Sequence, residues 1–383
     1  MNPASGVTAV FVAKATRTFC YGFLGIVLPI YLADLGMGAT AIGVAVTSTL
    51  AGSAMLTWLV RRPAERFGAR AALLGLTGLS AVAAVLLLAS REPWLVVLGA
   101  VLGNVAVGTG ETGPFLTVEQ VVVARATPAA RRTAVLSVYN LLGYAAAALG
   151  AVSVRFTASY TPLFAMFLAG AVVQAIAYST MRAPATPVRS PGGRLPSAPV
   201  IRRLSALFAL DSFAGGFVLQ SLVAYFLHTQ FDMALDTLGA VFAGTQILTG
   251  VSMLLAARAA TRFGLLPTMV VSHLLSNGLL IAIAFAPTGA IAVAFLLARH
   301  LLSQMDVPTR QAYVMAVVAD EEREAAASLT NLSRTVAQAI TPALTGWVMT
   351  AIALSAPFAL GGVLKIVYDV LLWQTFKDVK LRD

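Results

Sequence analysis

Six charged residues stand in runs that are otherwise apolar: Arg17, Glu111, Glu119, Asp211, Asp306 and Arg310. An ionisable side chain in such a setting is costly, so it faces a helix-bundle interior or a water-filled path and marks where chemistry is done. Glu111 has no basic residue within a turn. A carboxylate of that kind, in low dielectric, can take up and give back a proton, as a proton carrier must. Asp306 has Arg310 four residues on, on the same helical face, which favours its charged form. Glu111 is therefore the first candidate for proton coupling. Asp306, with Arg299 and Arg310, is expected to form a polar cluster for coupling or for the solute.

The other charges make sense only against the organisation of the chain, which reads as one unit used twice. Arg62-Pro-Ala-Glu65-Arg66-Phe67-Gly68 and Arg258-Ala-Ala-Thr261-Arg262-Phe263-Gly264 lie 196 residues apart in a chain of 383. Ser137, Asn140 and Leu141 recur 191 positions later as Ser328, Asn331 and Leu332, and Phe19, Gly22 and Tyr31 recur 194 later as Phe213, Gly216 and Tyr225. At these offsets Arg17 falls on Asp211 and Glu119 on Arg310, so each half has one acid and one base with signs exchanged. Two pairs follow, Arg17 with Glu119 and Asp211 with Arg310. All four lie roughly eight residues, about 12 Å, from the cytoplasmic ends of their helices. The pairs are either static ties or a gate.

The elements that hold these charges must be membrane spans. The chain is 58% hydrophobic and 11% charged, with a mean hydropathy of +0.84, against about 25% charged residues in an ordinary soluble domain. A span needs about 20 apolar residues. The uncharged runs, with the N-terminal segment and two segments near the C-terminus, give twelve spans, six per repeat. The fold class is thus an all-α membrane protein: a six-helix bundle over 1–181, a cytoplasmic linker over 182–203 and a second six-helix bundle over 204–383. The linker carries five Pro, five Arg and no acid, which no stable helix tolerates. Gly103, Gly108, Gly110 and Gly113 make the fourth segment irregular, and Pro29, Pro114, Pro308 and Pro342 are expected to kink their helices.

A formal net charge of +10 could point to nucleic acid, but its placement excludes that. With both termini cytoplasmic, 18 of the 26 basic residues fall in cytoplasmic segments and only Arg91 and Arg155 fall outside. That bias is the positive-inside rule. The lone Cys20 excludes an internal disulfide or a cysteine metal site. His228, His273 and His300 lie on separate segments without ligand spacing, and there is no Gly-rich phosphate loop. Neither a metal, a cofactor nor ATP is expected.

The segment Glu65-Arg66-Phe67-Gly68-Ala69-Arg70 resembles the loop signature of the major facilitator superfamily: a Gly, an acid, Arg, a residue, Gly and then basic residues. Arg61 stands at the leading Gly, Glu65 at the usual Asp, and the second copy has Thr261 in place of the acid. The antiporter signature of helix 5 is represented only by Gly143 and Gly150, and 305–323 resembles a subgroup of poorly characterised bacterial members. The resemblance implies that Glu65, Arg66, Gly68, Arg70, Arg262 and Gly264 belong to a conformational loop closing the cytoplasmic side. It also implies that helices 1, 4, 7 and 10 line the path. Tyr21, Asn104, Gln220, Gln246, Arg299, Gln304 and Gln311 are the candidates for the solute cavity. Arg334 and Lys365 are expected to snorkel or pair structurally.

The expected function is secondary active transport of a small solute by alternating access, with proton-coupled efflux across the plasma membrane by a monomer in the lipid bilayer. A uniporter or a proton symporter for uptake is the nearest alternative. A membrane-embedded enzyme or lipid-processing protein is the alternative of another class, for which Ser272 beside His273 is the only suggestive adjacency. The charge bias predicts both termini and the linker on the cytoplasmic side, so a reporter fused after Asp383 should be active only inside the cell. Activity only outside would reverse the topology.

Overall fold

The computed structural model describes residues 4–105, 113–157, 159–181, 197–318 and 322–379. It is helical, with no strand among the described residues. Among the described residues, ten helices are long and apolar enough to cross a membrane. The fourth expected span is divided between the short helices α4 (Pro93–Leu102) and α5 (Pro114–Ala126), and the eleventh is α14 (Arg323–Ala351).

The chain forms two compact units. Unit 1 comprises Met1–Gly38, Ala45–Ser190 and Met233–Gln246; unit 2 comprises Ala39–Val44, Pro191–Asp232 and Ile247–Asp383. In unit 1, α1 (Ala4–Asp34) packs against α6 (Ala129–Ser153) and α7 (Tyr160–Ser179), while α3 (Arg61–Ala89) packs against α4, α5 and α7. Most of α2 (Ala39–Leu59) and the start of α10 (Leu235–Phe263) complete it. In unit 2, α8 (Ala198–Gly216) packs against α14 and α15 (Ala356–Phe376), while α11 (Leu265–Ala284) packs against α12 (Gly289–Ser303), α13 (Asp306–Val317) and α15. With α9 (Gln220–Phe231) continuing α8, the partners in unit 2 are those of unit 1 moved on by one repeat.

The repeat extends to single dihedral angles. Gly68 interrupts α3 at φ 84°, ψ 162°, and Gly264, between α10 and α11, has φ 89°, ψ 163°. A side chain at either position would be strained, which explains a glycine at the same place in both halves. The segment read as a loop is a helical turn up to Phe67 followed by this break. Arg66 lies over the Phe67 ring at 5.2 Å and Arg262 over the Phe263 ring at 5.4 Å.

Helix irregularities follow the polar spans. Helix 4 is broken after Gly103-Asn104, where Asn104 has φ 49°, helix 10 is broken at Gln304-Met305, and helix 7 is also broken, between Gly216 and Gln220. Pro29 and Pro342 lie inside helices as expected. Pro114 and Pro308 instead occupy first turns, of α5 and α13, where the missing N–H has no helical partner to lose.

Close approach of helices supplies much of the packing in a bilayer, where burial away from water is no longer a driving force. A Cβ at Gly22 would collide with the Ala147 carbonyl, and one at Gly150 with the Phe19 carbonyl, so α1 and α6 meet backbone to backbone. Gly75 on α3 has open space around it. Gly22→Val should therefore lower the stability of the purified protein by about 1–3 kcal/mol, read as a fall in Tm, whereas Gly75→Ala should leave Tm unchanged. Equal effects would show that the α1–α6 contact is not close-packed.

Candidate functional site

Both sign-exchanged pairs form. In unit 1, Arg17 and Glu119 make two parallel hydrogen bonds, Nη1 to Oε1 at 3.1 Å and Nη2 to Oε2 at 2.6 Å. The pair is almost wholly sealed, with side-chain exposures of 1% and 0%. The carboxylate also accepts from the Tyr139 hydroxyl at 2.5 Å and the Tyr178 hydroxyl at 2.5 Å, and Tyr178 accepts from Arg17 at 2.9 Å. Phe115 lies under the guanidinium at 4.4 Å, and Lys14 sits 4.6 Å over the Tyr139 ring. Such a pair offsets its desolvation cost only when the remaining lone pairs and protons are bonded, and here they are.

Unit 2 distributes its charge instead. Asp211 on α8 receives Lys365 Nζ at 2.6 Å on Oδ1 and Arg310 Nη1 at 3.2 Å on Oδ2. The same Nη1 of Arg310 reaches Asp306 Oδ2 at 2.7 Å, so one nitrogen bridges two carboxylates. On the other side of Lys365 stands His273 of α11. Its Nδ1 is 2.7 Å from Asp369 Oδ1, and its Nε2 is 3.6 Å from Asp211 Oδ1 and 3.5 Å from Lys365 Nζ. Asn277 donates to Asp369 Oδ2 at 2.9 Å. A continuous buried network thus runs from Asp306 through Arg310, Asp211, Lys365 and His273 to Asp369.

The expected partners of Asp211 were incomplete, because the network reaches Lys365, His273 and Asp369 on α11 and α15. Lys365 pairs with the path-side carboxylate rather than snorkelling. Arg334, on α14, donates from Nε to the Ser212 hydroxyl at 2.9 Å. Ser272 donates to the Thr268 carbonyl at 2.7 Å while the His273 ring meets Asp369, so the adjacent Ser-His forms no catalytic pair. No three His, Cys, Asp or Glu side chains among the described residues are placed so as to hold a metal ion.

The remaining candidates are spread over both units. Tyr21 donates to the Gly103 carbonyl at 3.3 Å, beside the helix break at Asn104, whose Oδ1 has no partner. Gln246 is buried in α10, and Gln220 is buried at the start of α9. Gln304 is half-buried at the break in helix 10, and Gln311 is exposed on α13. Arg299 lies on α12, with its Nε sealed from solvent and unpartnered. Glu65, Arg66, Arg70, Arg262 and Gly264 are exposed at the helix junctions, while Gly68 is buried. Glu111, the first candidate for proton coupling, lies outside the described residues.

Two repeated bundles with compensated charges inside apolar helices define a multi-pass carrier of the bilayer. The Major Facilitator Superfamily model matches residues 10–227 and 204–381, and the chain belongs to that superfamily of membrane transporters. It is 22% identical to an uncharacterized membrane protein of Saccharomyces cerevisiae, over 95% of this chain and 92% of that one. The fold is shared with the nucleoside transporter NupG, at TM-score 0.74 and 15% identity over 98% and 100% of the two chains. It is shared also with a D-xylose-proton symporter, at 0.73 and 12% over 96% and 98%. A peptide transporter of the POT family matches at 0.75 and 11% over 99% and 98%.

The two pairs should respond differently to neutralisation. Arg17→Gln or Glu119→Gln strands a buried charge and should cost about 3–5 kcal/mol, most of it recovered in the double variant. Arg310 keeps Asp306 when Asp211 is neutralised, and Asp211 keeps Lys365 when Arg310 is neutralised, so that pair should show a smaller coupling energy. A double-mutant cycle on unfolding measures both. Strict additivity for Arg17 and Glu119 would show that the two charges do not interact.

Proposed function

We propose that the chain is a secondary transporter that moves a small organic solute by alternating access and couples it to protons, acting as a monomer in the plasma membrane. The observation that carries this reading is the placement of His273 between Asp211 and Asp369. The contacting network has three carboxylates, Asp211, Asp306 and Asp369, against two permanent cations, Arg310 and Lys365. It lacks one positive charge. An imidazole can take up and release a proton, and one on His273 would share Asp211 with Lys365.

Other groups of unit 2 bear on His273 from each element packed on it. Asp211 comes from α8, Asn277 from its own helix, and Lys365, Tyr368 and Asp369 from α15. On α13, Asp306 and Arg310 join through Asp211. On α12, His300 is held by its own helix, Nδ1 to the Leu296 carbonyl at 2.8 Å. Protonation at His273 loosens the Lys365–Asp211 contact, because a second cation enters beside the first. Since Asp211 lies on helix 7 and Asp306 on helix 10, a change there is felt on the helices that the superfamily fold uses to line the path.

Outward exchange of solute for protons requires the two to exclude one another at a common carboxylate, the role assigned to Glu111. Co-transport is the second reading. It is favoured by Arg299, a half-buried cation whose sealed Nε makes no hydrogen bond and which would draw a negatively charged solute toward the same network as the proton.

Coupling is tested in proteoliposomes with a solute that stabilises the purified protein. His273→Gln and Asp369→Asn should abolish accumulation driven by a pH gradient, while exchange of labelled for unlabelled solute continues. Undiminished gradient-driven accumulation in both variants would remove the network from coupling.

A further inference from the structure

Among the cations set deep in the described helices of unit 2, Arg299 makes no hydrogen bond and no ion pair within 4 Å, although it feels the field of Asp211 and Asp306. It lies on the face of α12 that carries Ala292, Leu296 and Ser303, all three buried. Its Nε is sealed and makes no hydrogen bond, and the Ser303 hydroxyl, one turn further on the same face, is likewise buried and unpartnered. The residue as a whole is only half-buried, so part of it stays accessible. An unpaired guanidinium and an orphaned hydroxyl side by side in a bilayer helix are both costly. Two such costs at adjacent positions on one face suit a site whose missing partner is a ligand.

The charges state which ligand. Away from the helix ends, where Arg202, Arg203, Arg258, Arg262, Arg323 and Glu324 lie, the described helices of unit 2 contain four permanent cations, Arg299, Arg310, Arg334 and Lys365, and three carboxylates, Asp211, Asp306 and Asp369. With His273 neutral, one positive charge is left over. Lys365 and Arg310 are engaged with Asp211 and Asp306, and Arg334 has only the neutral Ser212 hydroxyl. Arg299 from α12 and Arg334 from α14 both feel the field of Asp211 and Asp306. A carboxylate takes up that excess, and a proton on His273 would add to the excess rather than remove it. The planar fork of Arg matches a carboxylate with two parallel hydrogen bonds.

We propose that Arg299 and Ser303 form a binding site for the carboxylate of a small organic acid, with Arg334 adding to the attractive field. The proposal rests on the chain being a solute carrier, and it names the class of solute. It does not depend on the sense of proton coupling.

The test is the thermal stability of the full chain in detergent, titrated with potassium acetate, hexanoate and benzoate. Potassium chloride at equal ionic strength and the corresponding amides serve as comparisons. A ligand of the folded state raises Tm saturably. At least one carboxylate should do so while its amide and chloride do not. Arg299→Met should weaken that binding about tenfold or more, the loss of a charge-assisted hydrogen bond, and Arg299→Lys should restore part of it. Should Arg299→Met fail to fold, Ser303→Ala, which keeps every charge, should still weaken binding severalfold. The proposal is overturned if no carboxylate stabilises the protein, if amide or chloride does so equally, or if Arg299→Met and Ser303→Ala both bind as the parent does. Failure of the transport reading looks different. Carboxylate binding without flux in proteoliposomes keeps this site and removes that reading, whereas flux of a neutral solute without carboxylate binding does the reverse.

Discussion

A carboxylate carried on a bilayer helix stays ionised only where cations and hydrogen-bond donors replace the water it has lost, and Asp211 meets that condition from three other helices at once. Lys365 arrives from α15, Arg310 from α13 and His273 from α11. Removing any one of them leaves the others with charge to redistribute, which ties the register of four helices to a single side chain. The rest of unit 2 packs so as to deliver these groups. Gly361 of α15 approaches the Ala214 carbonyl of α8, and Gly362 approaches α11 at Asn277 and Ile281.

Unit 1 solves the same problem with the opposite outcome. Glu119 is saturated by Arg17, Tyr139 and Tyr178, every donor within hydrogen-bond distance and none shared with a second carboxylate. Such a site has nothing to gain from a proton and much to lose from separation, so it reads as a tie between helices 1 and 4. Unit 2 shares Arg310 between two carboxylates and sets an imidazole against a third.

Much of this was legible in the sequence, and for a physical reason. Duplication keeps position while allowing sign to change, so Arg17 over Asp211 and Glu119 over Arg310 exposed two compensated pairs before any coordinate. The same comparison could not find His273, Lys365 or Asp369. At offsets of 196 and 191 these fall on Thr77, Gln174 and Tyr178, which are neutral. A charge without a charged counterpart in the other half gives the repeat no signal. The signal that remained was weaker: Lys365 and Asp369 lie four apart in an apolar helix, the spacing of one face. The irregularity of helix 4 is legible where Gly residues cluster, and the break in helix 7 is not. There Gly215, Gly216 and Gln220 stand among apolar residues.

The account depends on His273 exchanging a proton within the buried network and Asp369 holding its ring. Since the chain has three histidines, nitrogen NMR of histidine-labelled protein, assigned with His273→Gln, reads that ring directly. The expected result is a His273 signal with a strongly hydrogen-bonded Nδ1, and loss of that hydrogen-bond signature in Asp369→Asn. A His273 Nδ1 signal that shows no hydrogen bond in the parent, or is unchanged in Asp369→Asn, would contradict the account.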